Sequence, residues 1–427
     1  SESPKPRYLL VWETSKIPLL TQTGNPTLAW ALSAYESDRE RLLCRGNMDK
    51  FQEIRPYQDD EVKAVLESLL RDAEMLDSIA RFYAPNFSRV LPFAARIFAR
   101  STLKKQLRGV DSIREIQHVI ATYMDKMIEE TTTSLTHSGL ENLRPGRSYV
   151  FICNHRDIAM DPAFVNYMLY HAGFETLQIA IGDNLLKKRF VSDLMRLNKS
   201  FIVKRSVKGR ELLASLRLLS EYIHYCIETG SNVWIAQREG RAKDGIDRTD
   251  PALLKMLAIA HRKEPMRESL GRLHIIPVTL SYQYDACDTL KAQELYMREK
   301  EGGFQKDEGS DIRSIVTGMM GEKGAVHVAF GEELELDSDE PEKIATAIDA
   351  QILANYRLQD INYLALQRLL AAGKLTETET LKASDILADW QAKADDLLAF
   401  EHRLNGVAAE LHPYWLRSYA NSTLLKA

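Results

Sequence analysis

The chain lacks any long uncharged apolar run, and no window approaches the roughly 18 residues that a membrane-spanning helix needs. Cysteine is scarce among its 427 residues: Cys44, Cys153, Cys226 and Cys287 lie far apart, with no C-x-x-C pair. That spacing excludes a zinc ribbon or a disulfide framework and suits a reducing compartment. The first residues, S-E-S-P-K-P-R, lack the basic-then-apolar order of a secretory signal. No phosphate loop, dinucleotide fingerprint or metal-ligand spacing is present, so neither a nucleotide cofactor nor a metal is expected. Charge of one sign is also missing, since 56 Lys and Arg face 60 Asp and Glu for a net −4. Nothing global therefore points to nucleic acid. What remains is a globular composition, 45% hydrophobic and 27% charged, long enough for two or three domains. The expected location is cytoplasmic, with attachment to a membrane surface left open.

Three zones follow from the period of the apolar residues. From about Thr27 to Glu141 the pattern is helical, as in the runs Asp60 to Phe82 and Asp111 to Thr133. G-L-E-N-L-R-P-G-R, Gly139 to Arg147, reads as a linker and turn. From Ser148 to about Leu336 strand and helix alternate. Candidate strands are S-Y-V-F-I-C-N, L-Q-I-A-I-G, S-F-I-V-K-R, N-V-W-I-A-Q, L-H-I-I-P-V-T-L-S-Y and A-V-H-V-A-F. Most are apolar on both faces, which suits a sheet covered on both sides. Helices are expected at Val207 to Thr229 and Pro251 to Arg262, and from Asp339 onward the chain is helical again. The expected organisation is a helical N-terminal domain (1–140), an α/β domain (148–336) and a helical C-terminal region (337–427). In such a layout the chemistry belongs at the strand ends.

Three strand ends carry charge in order. C-N-H-R-D-I-A-M-D-P places His155 where a buried strand stops, with Arg156, Asp157 and Asp161 close behind. An imidazole there becomes a general base if a carboxylate orients it. Asp161 directly precedes Pro162 and also reads as a helix N-cap before a first-turn proline. Asp157 also reads as a partner of Arg156 or as a turn cap. S-F-I-V-K-R ends in Lys204 and Arg205 before a helix start, which makes a receptor for phosphate or simply a solvated turn. In V-W-I-A-Q-R-E-G-R-A-K-D-G, Gly240 and Gly245 allow close backbone approach, and Arg241 and Lys243 can hold an anion. Glu239 there can bond a hydroxyl or fix an arginine. Pro277 inside the next strand implies an edge or a bulge.

This order, from Tyr149 to Leu280, resembles the glycerolipid acyltransferase family, which includes glycerol-3-phosphate and 1-acylglycerol-3-phosphate acyltransferases. That family carries N-H-x-x-x-x-D, a phosphate-binding strand end with Arg, an E-G-x-R-type loop and a proline-containing strand. The resemblance implies an α/β fold, an acyltransferase-type mixed sheet flanked by helices. It also implies transfer of a fatty acyl group from acyl-carrier protein or acyl-CoA to a hydroxyl of glycerol-3-phosphate or lysophosphatidic acid. Phospholipid biosynthesis is the implied setting, with acyl thioester as donor and no further cofactor. His155 is then the base and Asp161 its partner, with Lys204, Arg205, Glu239, Gly240 and Arg241 binding the acceptor. Asp157, Arg156 and Lys243 stand in reserve. Two departures are visible. Met160 fills the family's aspartate position and the acid falls one later, at Asp161. Aligning the third motif on Glu239-Gly240 leaves Ala242 at its arginine, whereas aligning on Arg241 puts Arg238 at its glutamate. Acylation of another lyso-lipid, and a non-catalytic lipid- or carrier-binding protein of the same fold, are the alternatives.

Cys153 and His155 share a strand face, but a buried cysteine is the commoner outcome and the transfer needs no thiol. Arg89 to Arg108 holds six basic residues and no acidic one. It reads either as a partly amphipathic helix on an anionic membrane surface or as a core-packed helix with a basic rim. Docking of an acidic acyl-carrier protein is a third use. Ile352 to Leu370, with aromatics and leucines at helical spacing, reads as packing.

Overall fold

The computed structural model describes residues 49–300, 302–304 and 309–426. Cys44 and the N-terminal part of the helical zone, Thr27 to Met48, lie outside the described residues. The chain divides after Gln52, and Glu53–Ala427 holds the whole sheet and every site residue described below.

Five helices come first: α1 (Asp59–Leu69), α2 (Ala73–Tyr83), α3 (Pro85–Val90), α4 (Pro92–Gln106) and α5 (Ile113–Thr131). The expected single run Asp60 to Phe82 is broken because Asp72 accepts the Met75 N–H at 2.8 Å and starts a new helix. The basic segment is likewise two helices. Proline at position 92 disfavours a helical Leu91 (φ −133°, ψ 67°) and takes the first position of α4. Ser112 and Glu115 cap α5 reciprocally.

The sheet has seven strands: β1 (Thr132–Ser138), β2 (Val150–Cys153), β3 (Gln178–Gly182), β4 (Ser200–Val203), β5 (Val233–Ala236), β6 (Ile275–Tyr282) and β7 (Gly324–Phe330). Their order is β1-β7-β6-β2-β5-β3-β4, parallel throughout except for the β6–β7 pair. All six expected strands are present. The seventh, β1, lies in a stretch read as helical. Its T-T-S-L-T-H-S buries only its first residue fully, so it shows no apolar alternation and leans on β7 for its pairing.

Pro277 sits in a central strand, not at an edge. It falls where the β7 ladder runs out: Pro277 O accepts from Gly331 N–H, and Asn142 Nδ2 donates to the Gly331 carbonyl at 3.1 Å. A side-chain amide thus supplies a donor where proline has none.

Between the strands run α6 (Met160–His171), α7 (Arg189–Leu197), α8 (Gly209–Glu228), α9 (Pro251–Ala258), α10 (Met266–Gly271), α11 (Asp288–Lys300) and α12 (Ser310–Met320). One sheet face packs Phe151, Trp234, Ile276 and Val328 against Phe164 and Leu169 of α6. The other face meets α13 (Pro341–Asn355): Thr279, out of phase with Val278, donates to the Ile352 carbonyl at 3.1 Å. Covered on both sides, β2 and β6 are buried at every position.

The C-terminal region continues with α14 (Asp360–Ala371), α15 (Glu377–Leu387), α16 (Ala394–Asn405) and α17 (His412–Lys426) around Leu364, Phe400 and Trp415. Ile352 to Leu370 is therefore two helices. They part at Tyr356, and Gln359 with Asn362 caps the second.

Candidate active site at the strand ends

The site begins where β2 stops pairing. Asn154 prolongs the ladder with its side chain: Oδ1 accepts the Leu280 N–H at 2.8 Å and Nδ2 donates to the Leu280 carbonyl at 3.0 Å. The backbone then turns sharply. The N–H groups of Arg156 and Asp157 donate to Asp161 Oδ2 at 2.6 and 2.9 Å. His155 Nδ1–H donates to the same oxygen at 2.9 Å, and Tyr282 Oη donates to Asp161 Oδ1 at 2.8 Å. Asp161 is fully buried, and its carboxyl accepts all four of these hydrogen bonds. Donation from Nδ1 to Asp161 selects the tautomer that leaves Nε2 free to accept a proton. His155 lines a cavity of about 750 Å³, with its ring edge-on to Trp234 at 5.8 Å between centroids.

Asp161 is not the N-cap expected of it. The helix begins at Met160, so Asp161 and Pro162 both lie inside the first turn. Asp157 does the capping instead, accepting the N–H groups of Ala159 and Met160 at 2.9 Å each. This division of labour absorbs the extra residue between His155 and its acid. Burial, and then the Asp161 charge, push the Asp157 carboxyl up.

Arg156 turns the other way. It is buried against Asp247 at 2.6 Å, donates to the Gly245 carbonyl and Ser422 Oγ, and lies over the Tyr356 ring.

The other motif residues meet at the same cavity. Lys204, Arg205, Glu239, Gly240, Arg241 and Lys243 all line it with His155. Lys204 pairs with Glu53 at 2.5 Å, and Arg205 approaches Glu239 at 3.4 Å near the rim. At Gly182 a Cβ would lie 2.4 Å from Asn184 Oδ1 and 3.1 Å from the Arg205 guanidinium, so a larger residue would displace both side chains. Gly240 takes φ +75° in the third loop. Ala242 N–H donates to the His155 carbonyl at 2.8 Å, which fixes that loop beside the imidazole. Arg241 is buried; one guanidinium nitrogen donates to Ser314 Oγ at 3.2 Å, and Nη1 has no hydrogen-bond partner among the described residues. A buried cationic donor left unmet is costly, and an anionic ligand at the cavity would satisfy it. Lys243 lies 3.3 Å from Glu294, and burial pushes its ammonium down. Cys153 is buried beside Asn154, and burial raises its thiol well above the ordinary range, which does not suit a nucleophile.

Sequence reasoning missed Tyr282, Trp234 and Arg238. Tyr282 carries no motif of its own, and only the register of β6 beside β2 brings it to Asp161. Apolar walls complete the cavity, from Ile120 and Met124 on α5, Tyr167 on α6, and Leu216, Leu253 and Met256 on α8 and α9.

The family model described as Acyltransferase matches residues 134–330, which run from within β1 to the end of β7 and include His155, Asp161, Lys204, Arg205, Glu239, Gly240 and Arg241. The chain is 25% identical over 236 residues to the glycerol-3-phosphate acyltransferase of Xanthomonas axonopodis pv. citri (strain 306), covering 51% of this chain and 25% of that protein. It is 24% identical over 230 residues to that of Glaesserella parasuis serovar 5 (strain SH0165), covering 53% and 26%. The chain carries an acyltransferase domain and resembles glycerolipid acyltransferases at low identity. A third relative, the glycerol-3-phosphate acyltransferase of Alteromonas mediterranea, is 27% identical over 195 residues, covering 45% of this chain and 22% of that protein. The chain thus matches about a quarter of the length of these curated family members. Among solved structures, the 1-acyl-sn-glycerophosphate (LPA) acyltransferase PlsC from Thermotoga maritima aligns at 13% identity and TM-score 0.33, covering 67% of this chain and 98% of that one. The acid one residue late is the one bonded to His155, and Ala242 is buried with its N–H on the His155 carbonyl.

Proposed function

We propose that the chain is an O-acyltransferase that moves a fatty acyl group from an acyl thioester, on acyl-carrier protein or acyl-CoA, to a hydroxyl of glycerol-3-phosphate or lysophosphatidic acid in phospholipid biosynthesis. The observation that carries this reading is one cavity holding both the His155–Asp161 pair and the unmet donor of Arg241. His155 Nε2 takes the proton of the acceptor hydroxyl as its oxygen attacks the thioester carbonyl. Asp161 stabilises the imidazolium that results. Collapse of the tetrahedral intermediate expels the thiolate, which recovers the proton from His155 and leaves as free thiol. Direct transfer needs no acyl-enzyme, in keeping with an inert Cys153. Arg241, with Lys204 and Arg205 at the rim, binds the acceptor's phosphate, and the cationic loop offsets charge that develops on the carbonyl oxygen. The apolar walls suit the acyl chain.

Incubation of the purified protein with labelled donor and an acceptor panel tests the reading by the appearance of acylated product. Charge reversal at Lys204 or Arg205 is expected to raise the KM for phosphate-bearing acceptors roughly tenfold or more, since a charged hydrogen bond is worth about 1.5–3 kcal/mol. An unchanged KM removes the phosphate assignment. Donor consumed without acylated product would make the chain a thioester hydrolase, and donor left intact with every acceptor would leave a binding protein.

A further inference from the structure

Among the described residues, large apolar side chains exposed to solvent concentrate on the end of α2, on α3 and on α4. Tyr83, Val90, Leu91, Phe93, Ile97 and Phe98 are each between 53% and 74% exposed. The orientation of α4 accounts for this. It packs inward through small residues, with Ala95 and Ala99 buried, and Arg96 is fixed to Asp77 by two bonds of 2.7 Å. Its bulky side chains therefore face out, the reverse of a helix that covers a core. The expected alternative of a core-packed helix with a basic rim does not hold for these aromatics. Around them Arg89, Arg100, Lys104, Lys105 and Arg108 are exposed, and no acidic residue occurs from Ala84 to Val110.

Soluble surfaces seldom present so many adjacent exposed aromatics without a use for them. Apolar side chains flanked by cations fit a bilayer whose interface is apolar beneath an anionic headgroup layer. An acidic protein would match the cations and leave the aromatics unexplained. Among the described residues no helix is long and apolar enough to cross a membrane, so the contact would lie along the surface. The face also adjoins the cavity. Tyr123 on α5 donates to Gln106 Oε1 on α4 at 2.9 Å, and Tyr123 and Met124 line the cavity wall.

We infer that α3 and α4, with the adjoining end of α2, form the face by which the protein lies on an anionic lipid surface, so that lipid substrate enters the cavity past α5. The second clause rests on the acyl-transfer reading; the first does not. Sedimentation with vesicles of phosphatidylcholine, alone or mixed with phosphatidylglycerol, tests it. The expected result is binding to the mixed vesicles that weakens with salt. Partitioning should fall at least tenfold in F93D/F98D and about fivefold for each cation reversed in R100E/K104E. Transfer between water-soluble short-chain substrates should be unchanged in both variants, which also shows that they fold. Binding needs no turnover, so a protein that transfers nothing can still show it, and transfer on soluble substrates survives its failure. The inference is overturned if the wild type binds neither vesicle, or if both variants bind as well as the wild type. It is equally overturned if the face pairs two copies of the chain, seen as a dimer that F93D/F98D splits, or if it holds acyl-carrier protein and no vesicle.

Discussion

At the scale of single residues the site turns on which aspartate serves His155. Asp161 gathers four donors, from the imidazole, two backbone amides and Tyr282, whereas Asp157 spends its Oδ1 on the helix start. Asp161→Asn is therefore expected to lower kcat by about 10²–10⁴, the usual worth of a positioned acid–base group. Asp157→Asn should leave the rate within a few fold, because asparagine caps a helix about as well as aspartate. Steady-state kinetics on the two purified variants decides, and a rate loss confined to Asp157→Asn contradicts the assignment. Tyr282→Phe removes one donor from Asp161 without touching the cavity's other groups. The carboxylate then holds the imidazole less firmly in place, so kcat should fall about tenfold with KM little changed, the worth of one charge-assisted hydrogen bond. An unchanged kcat would reduce Tyr282 to packing.

At the scale of elements, the sequence exposed what periodicity and strand-end charge encode. Six strands, the long helix α8 and the cavity residues His155, Lys204, Arg205, Glu239, Gly240, Arg241 and Lys243 could be read from it. The misses share a cause, namely local signals that depend on a partner far along the chain. β1 is polar because it is an edge strand supported by β7. Pro277 is tolerated in the interior because β7 ends there and Asn142 supplies a donor. Tyr282 reaches Asp161 only through β6 pairing with β2. The packing of α8 has a pH signature. His224 is buried, donates Nε2–H to the Leu257 carbonyl at 3.0 Å, and is pushed by burial from 6.5 down to about 4. Between those values the unfolded chain takes up a proton that the folded one refuses, so stability falls as pH drops through the window. By pH 4 the loss from this residue reaches about 3 kcal/mol, and His224→Gln should remove most of it in denaturant melts across that range. Equal acid sensitivity in the variant would contradict the burial argument. His327, also pushed down to about 4, keeps a share of the effect in either protein.

At the scale of the whole molecule, the C-terminal helices help to shape the site. Arg156, next to the candidate base, crosses to Asp247 and to Ser422 on α17, while Asn421 Nδ2 donates to the Asp244 carbonyl at 2.8 Å. A Cβ at Gly245 would lie 2.0 Å from the Ser418 carbonyl oxygen, so α17 rests directly on the third-motif loop. Arg156→Met leaves Asp247 buried without its charge partner and should cost about 3–5 kcal/mol in chemical denaturation. A smaller loss would mean that the pair is not the tie it resembles. The central claim is that this cavity transfers an acyl group to a phosphate-bearing hydroxyl with His155 as base. It is tested most directly by mass spectrometry of products formed from acyl thioester and an acceptor panel, wild type beside His155→Ala. The account predicts acylated glycerol-3-phosphate or lysophosphatidic acid with the wild type, falling by about 10² or more in the variant. Product formation undiminished in His155→Ala, or no acylated acceptor from the wild type, would contradict it.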